Sequence, residues 1–322
     1  MIYPDPETVA AVGEDPQSAD IPELHKAVFR WLETFVKSSD STSERDIEEL
    51  RQLGASDEEI AEWVNIASLQ IYLVSIADSS GVPLESEVAE TESALAEFSS
   101  LHRDRSYYHV RQPDTPQTKT TGTANPTGGQ DGAKLQSSGW LSAPCAGDDY
   151  EKAARDAEAR YGVIPNLFKA ISASGRFYKR HQMVLDLLEH PQTDTLSGPL
   201  HALVRAATIA LDRCDYFAAT ADSLLARTCD SNIKYSQLVP DPLATARTEQ
   251  ERVVLAFAEK LIRTPYKITA KDAQDFRDAG LDDKAYVDVF NTVSLQCSLD
   301  RLANATGVAA DSRPLLSAQL AS

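Results

Sequence analysis

Cysteine and histidine are scarce in this sequence, which has four cysteines and six histidines among 322 residues. The cysteines are too few and too scattered for a disulfide framework; they are Cys145, Cys214, Cys229 and Cys297. No C-x-x-C or H-x-x-x-H pair occurs, so we expect no structural zinc. The sequence also lacks G-x-G-x-x-G, G-x-x-x-x-G-K-[ST] and G-x-S-x-G, which excludes the common nucleotide-binding and hydrolase signatures. No metal or cofactor is therefore predicted.

Positive charge and long apolar runs are also lacking. The net charge is −18 and the pI is about 4.7, so we expect neither nucleic acid nor an anionic membrane as a partner. No apolar run reaches the length of about 18 residues that indicates a membrane span. The N-terminal residues have neither the basic nor the apolar region of a secretory signal. Together with the scattered cysteines, these features predict a cytoplasmic protein with reduced thiols.

Composition divides the chain into four parts. Residues 1–20 are acidic and predict a solvated tail. Residues 104–146 contain the stretch RQPDTPQTKTTGTANPTGGQDGAKLQSS, which is typical of a flexible linker because it has too little apolar surface to bury. The parts at 21–103 and 147–316 have apolar residues at helical spacing and no convincing period-2 run. We therefore predict an all-α protein with a smaller N-terminal and a larger C-terminal part.

The two helical parts share an internal repeat. Residues 25–82 align without a gap on residues 251–308, an offset of 226 that places Gly54 on Gly280. Fourteen positions are identical, including a Ser-Leu-Gln triplet. Each copy predicts three helices: an apolar-striped first helix, a short second helix that ends at a glycine, and a third that begins with an acidic turn. Two amphipathic hairpins could converge on similar composition, but the matching glycines and the triplet favour duplication.

The repeat covers only half of the larger part. The C-terminal copy follows about 100 residues of helical sequence, whereas a short acidic stretch precedes the N-terminal copy. We therefore predict one complete unit plus an N-terminal half-repeat. The apolar stripes of the half-repeat need cover, so we expect it to pack on the complete unit and to imitate a contact between subunits. The protein is accordingly expected to be a homo-oligomer or an intramolecular pseudo-dimer.

The C-terminal part carries YGVIPNLFKAISAS, ERVVLAFAEKLIRTPYKITAKDAQDFRDAGLDDKAYVDVF and DRLANATGV, in that order. In this order the motifs resemble the alkylhydroperoxidase D-like proteins of the carboxymuconolactone decarboxylase superfamily, particularly its peroxidase-related branch. The resemblance covers about 155–310, and it covers 25–85 as the C-terminal half of a unit only. It implies an alkylhydroperoxidase D-like helical fold, oligomerisation through these helices, and a thiol-dependent peroxidase activity.

For the redox-active members, the resemblance implies a site of Glu, C-x-x-C and His. The first Cys is a thiolate at a helix N-terminus, the second Cys resolves its oxidised form, and Glu and His relay protons. The first Cys corresponds to Cys214. The second Cys falls on Phe217, the His on Ala221 and the Glu on Ala202. Three of the four functional positions have therefore changed in this chain.

Three interpretations of Cys214 stay open. It is a buried thiol in a helix–helix core, a one-cysteine redox centre, or half of a rewired pair with Cys297. The resemblance implies that the last helix, which carries Cys297, packs close to the catalytic helix. Arg213 favours the thiolate form of Cys214, whereas Asp212 and Asp215 oppose it, so local charge does not decide between the interpretations.

His201 is the histidine nearest to this site in the sequence, and it directly precedes Ala202. It is either a helix-surface residue or a substitute base that turns inward. Two classes of function follow. One is a diverged peroxidase-like oxidoreductase that acts on a hydroperoxide through Cys214 with an outside dithiol reductant. The other is a non-catalytic scaffold, or a member that binds or decarboxylates a small acid. An accessible, acidic Cys214 favours the enzyme, and a buried, inert one favours the scaffold.

Overall fold

The computed structural model of this chain describes residues 5–81, 139–141, 148–172, 196–228 and 233–311. Within these ranges the regular secondary structure is helical, and no strand is present. The prediction of an all-α protein is therefore confirmed.

The described residues form twelve α-helices, four in an N-terminal segment (5–81) and eight in a C-terminal segment (148–311). The N-terminal helices are α1 (Pro6–Glu14), α2 (Glu23–Ser38), α3 (Glu44–Gln52) and α4 (Asp57–Ser80). The C-terminal helices are α5 (Asp148–Tyr161), α6 (Asn166–Ile171), α7 (Gly198–Asp212), α8 (Asp215–Thr228), α9 (Tyr235–Leu238), α10 (Glu249–Arg263), α11 (Ala270–Asp278) and α12 (Asp283–Thr306). Helix α1 lies in the acidic stretch for which we predicted a solvated tail, and none of its residues is buried.

The two longest helices, α4 and α12, begin and end with the signals that the sequence indicates. Ser56 precedes α4, and its backbone N–H donates a hydrogen bond to the carboxylate of Glu59 at 2.9 Å. Asp282 precedes α12, and its side chain accepts a hydrogen bond from Ala285 N at 2.8 Å. These bonds satisfy N–H groups that have no partner within the helix. Each helix ends at a glycine with positive φ, which a residue with a Cβ adopts only under strain.

Helices α2 to α4 and helices α10 to α12 have bounds that match to within one residue at the offset of the sequence repeat. Helices α3 and α11 begin and end 226 residues apart, and so do α4 and α12. Both copies form the same ion pair between the second and third helices. Arg51 Nε lies 2.7 Å from Asp57 Oδ1, and Arg277 Nε lies 2.8 Å from Asp283 Oδ1. The two sets of helices therefore have the same local architecture.

The N-terminal segment packs on the C-terminal segment through an antiparallel contact between α4 and α12. The hydroxyl of Tyr286, in the first turn of α12, donates a hydrogen bond to Ser79 O, in the last turn of α4, at 2.8 Å. Farther along the two helices, Ser68 Oγ donates to Ser298 O at 2.5 Å. Ala305, near the end of α12, belongs to the apolar core of the N-terminal segment. Helix α12 therefore covers part of the apolar surface of the N-terminal helices.

Helix α7 lies at the centre of the C-terminal segment. Every residue from Leu200 to Ala210 is buried, and the helix packs against α8, α10 and α12. A helix that is enclosed on all sides must satisfy its polar side chains inside the protein. The histidine and the arginine of this helix are therefore core residues, and they lie next to the candidate site.

Residues 139–141 are the part of the predicted flexible linker that the structure describes, and they are bound to the ends of helices. Trp140 N donates a hydrogen bond to Thr306 O at 2.9 Å, and the indole ring of Trp140 lies against Gly307. Trp140 O accepts a hydrogen bond from Arg51 Nη2 at 2.6 Å. Because Arg51 also binds Asp57, this contact places Trp140 beside the start of α4. Most of the predicted linker lies outside the described residues.

Helix α4 is long and apolar enough to cross a membrane, judged by length and composition alone. The core helix of a protein that never enters a membrane passes the same test, and 33% of the apolar window of α4 is buried inside the structure. The buried part packs both against α12 and into the apolar core of the N-terminal segment, which includes Ile60, Ala61 and Val64.

Candidate functional site

Cys214 lies at the N-terminus of α8. The preceding helix, α7, ends at Arg213, whose φ of 52° reverses the direction of the chain. Cys214 N donates a hydrogen bond to Ile209 O at 3.2 Å, and Cys214 O accepts one from Ala218 N at 2.9 Å. The backbone N–H of Phe217 hydrogen-bonds to the Cys214 thiol. A helix N-terminus favours ionisation of a thiol, because the unpaired amides of a first helical turn stabilise a thiolate.

The surroundings of the Cys214 thiol oppose ionisation. The side chain is fully buried, and the thiol hydrogen-bonds to the carboxyl group of Asp300 on α12. Burial is the largest cause that raises the pKa of Cys214 well above its ordinary value, and the charge of Asp300 adds to it. The hydrogen bond from Phe217 N acts in the opposite direction and does not outweigh them. Cys214 is therefore a protonated thiol at neutral pH.

Asp300 belongs to a buried polar network that connects α7 with α12. Gln296 Nε2 donates a hydrogen bond to Asp300 Oδ1 at 2.8 Å, and Arg205 Nε donates to Gln296 Oε1 at 3.2 Å. All three side chains are buried. Burial raises the pKa of Asp300 well above its ordinary value, and the charge of Asp212 contributes. Burial also lowers the pKa of Arg205 to about 10, while the charge of Asp300 opposes that shift.

Cys297 lies on α12 and interacts with a second buried carboxyl group. Its thiol hydrogen-bonds to Asp212, and Asp212 Oδ1 lies 3.6 Å from Arg301 Nε. Burial is the largest cause that raises the pKa of Cys297, and the charge of Asp212 adds to it, whereas the charge of Arg301 lowers it. Cys214 and Cys297 thus flank one pair of carboxyl groups, Asp212 and Asp300. Both thiols are free, so the rewired disulfide is not formed in this structure.

His201 is a core residue of α7, so its interpretation as a helix-surface histidine is wrong. The side chain is buried, and its Nδ1 has no hydrogen-bond partner among the described residues. Burial lowers the pKa of His201 to about 3, and the charge of Arg205, one helical turn away, contributes. The imidazole is therefore neutral at pH 7. The charged group that acts on it is Arg205.

Apolar side chains fill the positions where the family resemblance implies the other catalytic groups. Phe217, Ala221 and Ala202 are each fully buried. The ring of Phe217 packs edge-on against Tyr216, with 4.8 Å between ring centroids. Ala202 packs against Leu224. The space of a resolving thiol, a histidine and a glutamate is therefore occupied by core packing.

The buried network was missed in the sequence because its members look like surface residues of amphipathic helices. The internal repeat nevertheless contains a signal for two of them. Asp300 and Arg301 of α12 align with Val74 and Ser75 of α4. Charged residues that appear in one copy, where the other copy has uncharged residues, indicate positions with a specific role.

The same network continues into the N-terminal segment. Arg301 Nη1 donates a hydrogen bond to Val36 O at 2.7 Å. Asn304 Nδ2 donates to Ser39 Oγ at 3.0 Å and to Asp212 O at 3.2 Å. The polar groups around Cys297 therefore fasten the end of α2 to α7 and α12.

An open groove lies in the N-terminal segment, between the end of α1 and one side of α2. Its volume is about 380 Å³. The lining combines apolar side chains of α2 with charged side chains at the rim: Glu14, Asp15, Pro16, Gln17, Phe29, Leu32, Glu33, Val36 and Lys37. None of the buried thiols or carboxyl groups described above lines this groove.

No protein-family model matches this chain, and no curated protein matches it. Among solved structures, the chain is similar to an uncharacterised peroxidase-related protein from Silicibacter sp. TM1040. The two chains share 19% sequence identity and a TM-score of 0.47, over 57% of this chain and 96% of the other. A likeness of this degree supports no inference about the activity of this chain.

Proposed function

We propose that this chain is a diverged relative of the alkylhydroperoxidase D-like proteins that acts as a non-catalytic helical scaffold. One observation carries the proposal: the thiol at the catalytic position, Cys214, is fully buried and hydrogen-bonded to the Asp300 carboxyl group, and its pKa is raised. A thiol nucleophile needs the opposite surroundings, because the thiolate is the reactive form and the peroxide must reach it. The motifs given in the sequence analysis support the relationship to that group.

The positions around Cys214 support the same conclusion. A sulfenic acid formed at Cys214 would need a resolving thiol, but Phe217 holds that position. Cys297 is also buried, and the neighbouring carboxyl group of Asp212 raises its pKa. Neither cysteine therefore provides a thiolate for attack or exchange.

A structural role accounts for the groups that replaced the catalytic site. Arg301 and Asn304 bind backbone and side-chain oxygens at the end of α2, and Arg301 also pairs with Asp212, the last residue of α7. Buried polar groups are retained where a specific arrangement of elements must be held. In this proposal, the former site holds the N-terminal segment in place against α7 and α12.

The test measures thiol reactivity and peroxide turnover together. The purified full chain is incubated with dithionitrobenzoate, and separately with cumene hydroperoxide, hydrogen peroxide and a small dithiol reductant. Cys214→Ser and Cys297→Ser variants are measured in parallel. We expect Cys214 and Cys297 to react with dithionitrobenzoate only when the protein unfolds, and peroxide consumption to stay at the rate of buffer. Turnover that Cys214→Ser abolishes would overturn the proposal.

A peroxidase-like activity through Cys214 is the second candidate, and its position at the start of α8 favours it. In that case the Cys214 thiolate attacks the terminal oxygen of the hydroperoxide, and the O–O bond breaks. The alkoxide that leaves takes up a proton from solvent and becomes an alcohol. Cys214 becomes a sulfenic acid. A dithiol reductant then restores the thiol, and water and the oxidised disulfide of the reductant are released. Equal loss of turnover in the Cys297→Ser variant would indicate that the two cysteines work as a pair.

A further inference from the structure

Helix α4 exposes an apolar stripe on the side that faces away from α12. Ile66 and Leu73 are each 50% exposed and Val74 is 37% exposed, and Gln70 and Ala77 are exposed between and beside them. The spacing of these five residues places them on one side of a helix. We call this stripe the outer face of α4. It contains no charged side chain.

The repeat identifies what covers the same face in the C-terminal segment. The equivalent residues of α12 are all buried: Thr292, Gln296, Leu299, Asp300 and Ala303. Helix α7 packs along α12, and the hydrogen bond from Arg205 to Gln296 fixes it there. In this architecture, a further helix therefore covers this face of the third repeat helix. No described residue covers the outer face of α4 in this way.

The described residues on either side of the segment 82–138 lie at opposite ends of α4. The chain leaves α4 at Gly81, at the C-terminal end of that helix. It returns at Trp140, which lies at the opposite end because Arg51 binds both Trp140 O and Asp57. Residues 82–138 therefore connect two points that lie about one length of α4 apart, roughly 36 Å for a 24-residue helix.

The first part of that segment has a sequence that matches an uncharged apolar face. Residues 84–101 read LESEVAETESALAEFSSL. Their large apolar residues recur at helical spacings: Leu84, Val88, Leu95, Phe98 and Leu101. Helix α7 places a basic side chain, Arg205, against α12, which carries Asp300 on this face. The segment 84–101 contains no Lys or Arg. The outer face of α4 has valine where α12 has aspartate, so it needs no basic partner.

We propose that residues 84–101 dock on the outer face of α4 and take the place that α7 takes on α12. A segment that is covalently attached directly after α4 has a high effective concentration at this face, which a second copy lacks. Two copies would also bring together surfaces of a chain with a net charge of −18. The proposal rests on α4 and the chain path, so it stands or falls separately from the role of Cys214.

Photo-cross-linking tests the proposal directly. We would place p-benzoylphenylalanine at Leu73 of the full chain, illuminate it, and map the products by mass spectrometry. The expected product is an intrachain cross-link to residues 84–101. The control carries the same group at Val287, a residue of α12 that is 43% exposed and does not belong to the outer face of α4. This control should give no such product. The proposal is overturned if Leu73 cross-links to a second copy, to added phosphatidylcholine–phosphatidylglycerol vesicles, or to nothing above the Val287 background.

A second set of variants tests whether the apolar stripe of the segment makes the contact. Leu95→Asp combined with Phe98→Asp should reduce the intrachain cross-link from position 73 at least tenfold. Ser93→Asp adds negative charge to the same segment between its apolar positions, and it should leave the yield within about twofold. A yield that the double variant does not change would overturn the proposal, because the contact would then not depend on the stripe.

Discussion

The indole ring of Trp140 lies against Gly307, so closely that a Cβ at Gly307 would lie 2.1 Å from indole Cε2. Gly81 is the equivalent residue at the end of α4, and its φ of 62° is almost that of Gly307, 59°. A Cβ at Gly81 would meet no atom within 4 Å. Both glycines therefore adopt a left-handed backbone conformation, but only Gly307 lies against the ring of Trp140.

Replacing each glycine with alanine separates the two effects. Gly81→Ala should lower the free energy of unfolding by about 1–2 kcal/mol, the cost of a left-handed conformation for a residue with a Cβ. Gly307→Ala should lower it by a further 1–3 kcal/mol or so, because Trp140 must move. Urea unfolding followed by circular dichroism measures both. Equal losses in the two variants would show that the Trp140 contact contributes nothing.

The repeated ion pair gives a second matched comparison. Arg51→Ala should cost about 1–2 kcal/mol, because Arg51 binds both the mostly buried Asp57 and the backbone oxygen of Trp140. Arg277→Ala should cost less than about 1 kcal/mol, since Asp283 is 71% exposed and such pairs contribute little. The measurement is again urea unfolding. A loss for Arg277→Ala as large as that for Arg51→Ala would contradict the prediction.

His201 should make the protein sensitive to acid. Its folded pKa of about 3 lies below its ordinary value of 6.5. Between these two pH values the unfolded chain binds a proton at His201 that the folded protein does not. Stability therefore falls as the pH falls through this window, by at most about 1.4 kcal/mol per pH unit. Above pH 6.5 the residue is neutral in both states and has no effect.

The variant His201→Leu should flatten that dependence. We would compare unfolding free energies from pH 7 to pH 4 for the wild type, His201→Leu and the control His25→Gln. Asp212 and Asp300 have raised pKa values and contribute the opposite slope, but they are present in all three proteins. The difference between wild type and His201→Leu therefore isolates His201. Burial lowers the pKa of the half-buried His25 too, and its removal should have a smaller effect. Parallel pH profiles for wild type and His201→Leu would refute the assignment.

Arg213 is a position where glycine should stabilise the protein. It is the one non-glycine residue with positive φ in the described part of the chain. Arg213→Gly should raise the free energy of unfolding by about 1 kcal/mol. The substitution also removes an ion pair, in which Arg213 Nη1 lies 3.7 Å from Asp40 Oδ2. Because the arginine is half-exposed, this pair contributes less than the gain from the relaxed backbone. Arg213→Ala, which keeps the unfavourable backbone, is the control. Equal stability of the Arg213→Gly and Arg213→Ala variants would show that the backbone at this position is not strained.

Local features of the fold could be predicted from the sequence because local interactions determine them. The helix-ending glycines and the acidic first turns act within a few residues, so their signals are complete in the sequence. The position of Cys214 at the start of a helix was expected from the family resemblance instead. The matching bounds of α4 and α12 follow because equivalent residues give the same caps in both copies.

The environment of Cys214 could not be predicted, because a residue from another helix determines it. Asp300 lies far from Cys214 in the sequence, and helical spacing alone does not show that both are buried. The burial of His201 could not be predicted for the same reason, since α7 is covered by helices that follow it in the chain. The linker prediction used average composition, which does not register one tryptophan that packs on a glycine.

The antiparallel contact between α4 and α12 also has a consequence for synthesis. Ser68 Oγ, on α4, donates a hydrogen bond to Ser298 O on α12, a partner 230 residues away in the chain. The N-terminal helices leave the ribosome first, and at about 5–20 residues per second they wait tens of seconds for α12 to be made. During that time their apolar surfaces are incompletely covered. We therefore expect the nascent chain to depend on chaperones until α12 has emerged from the ribosome.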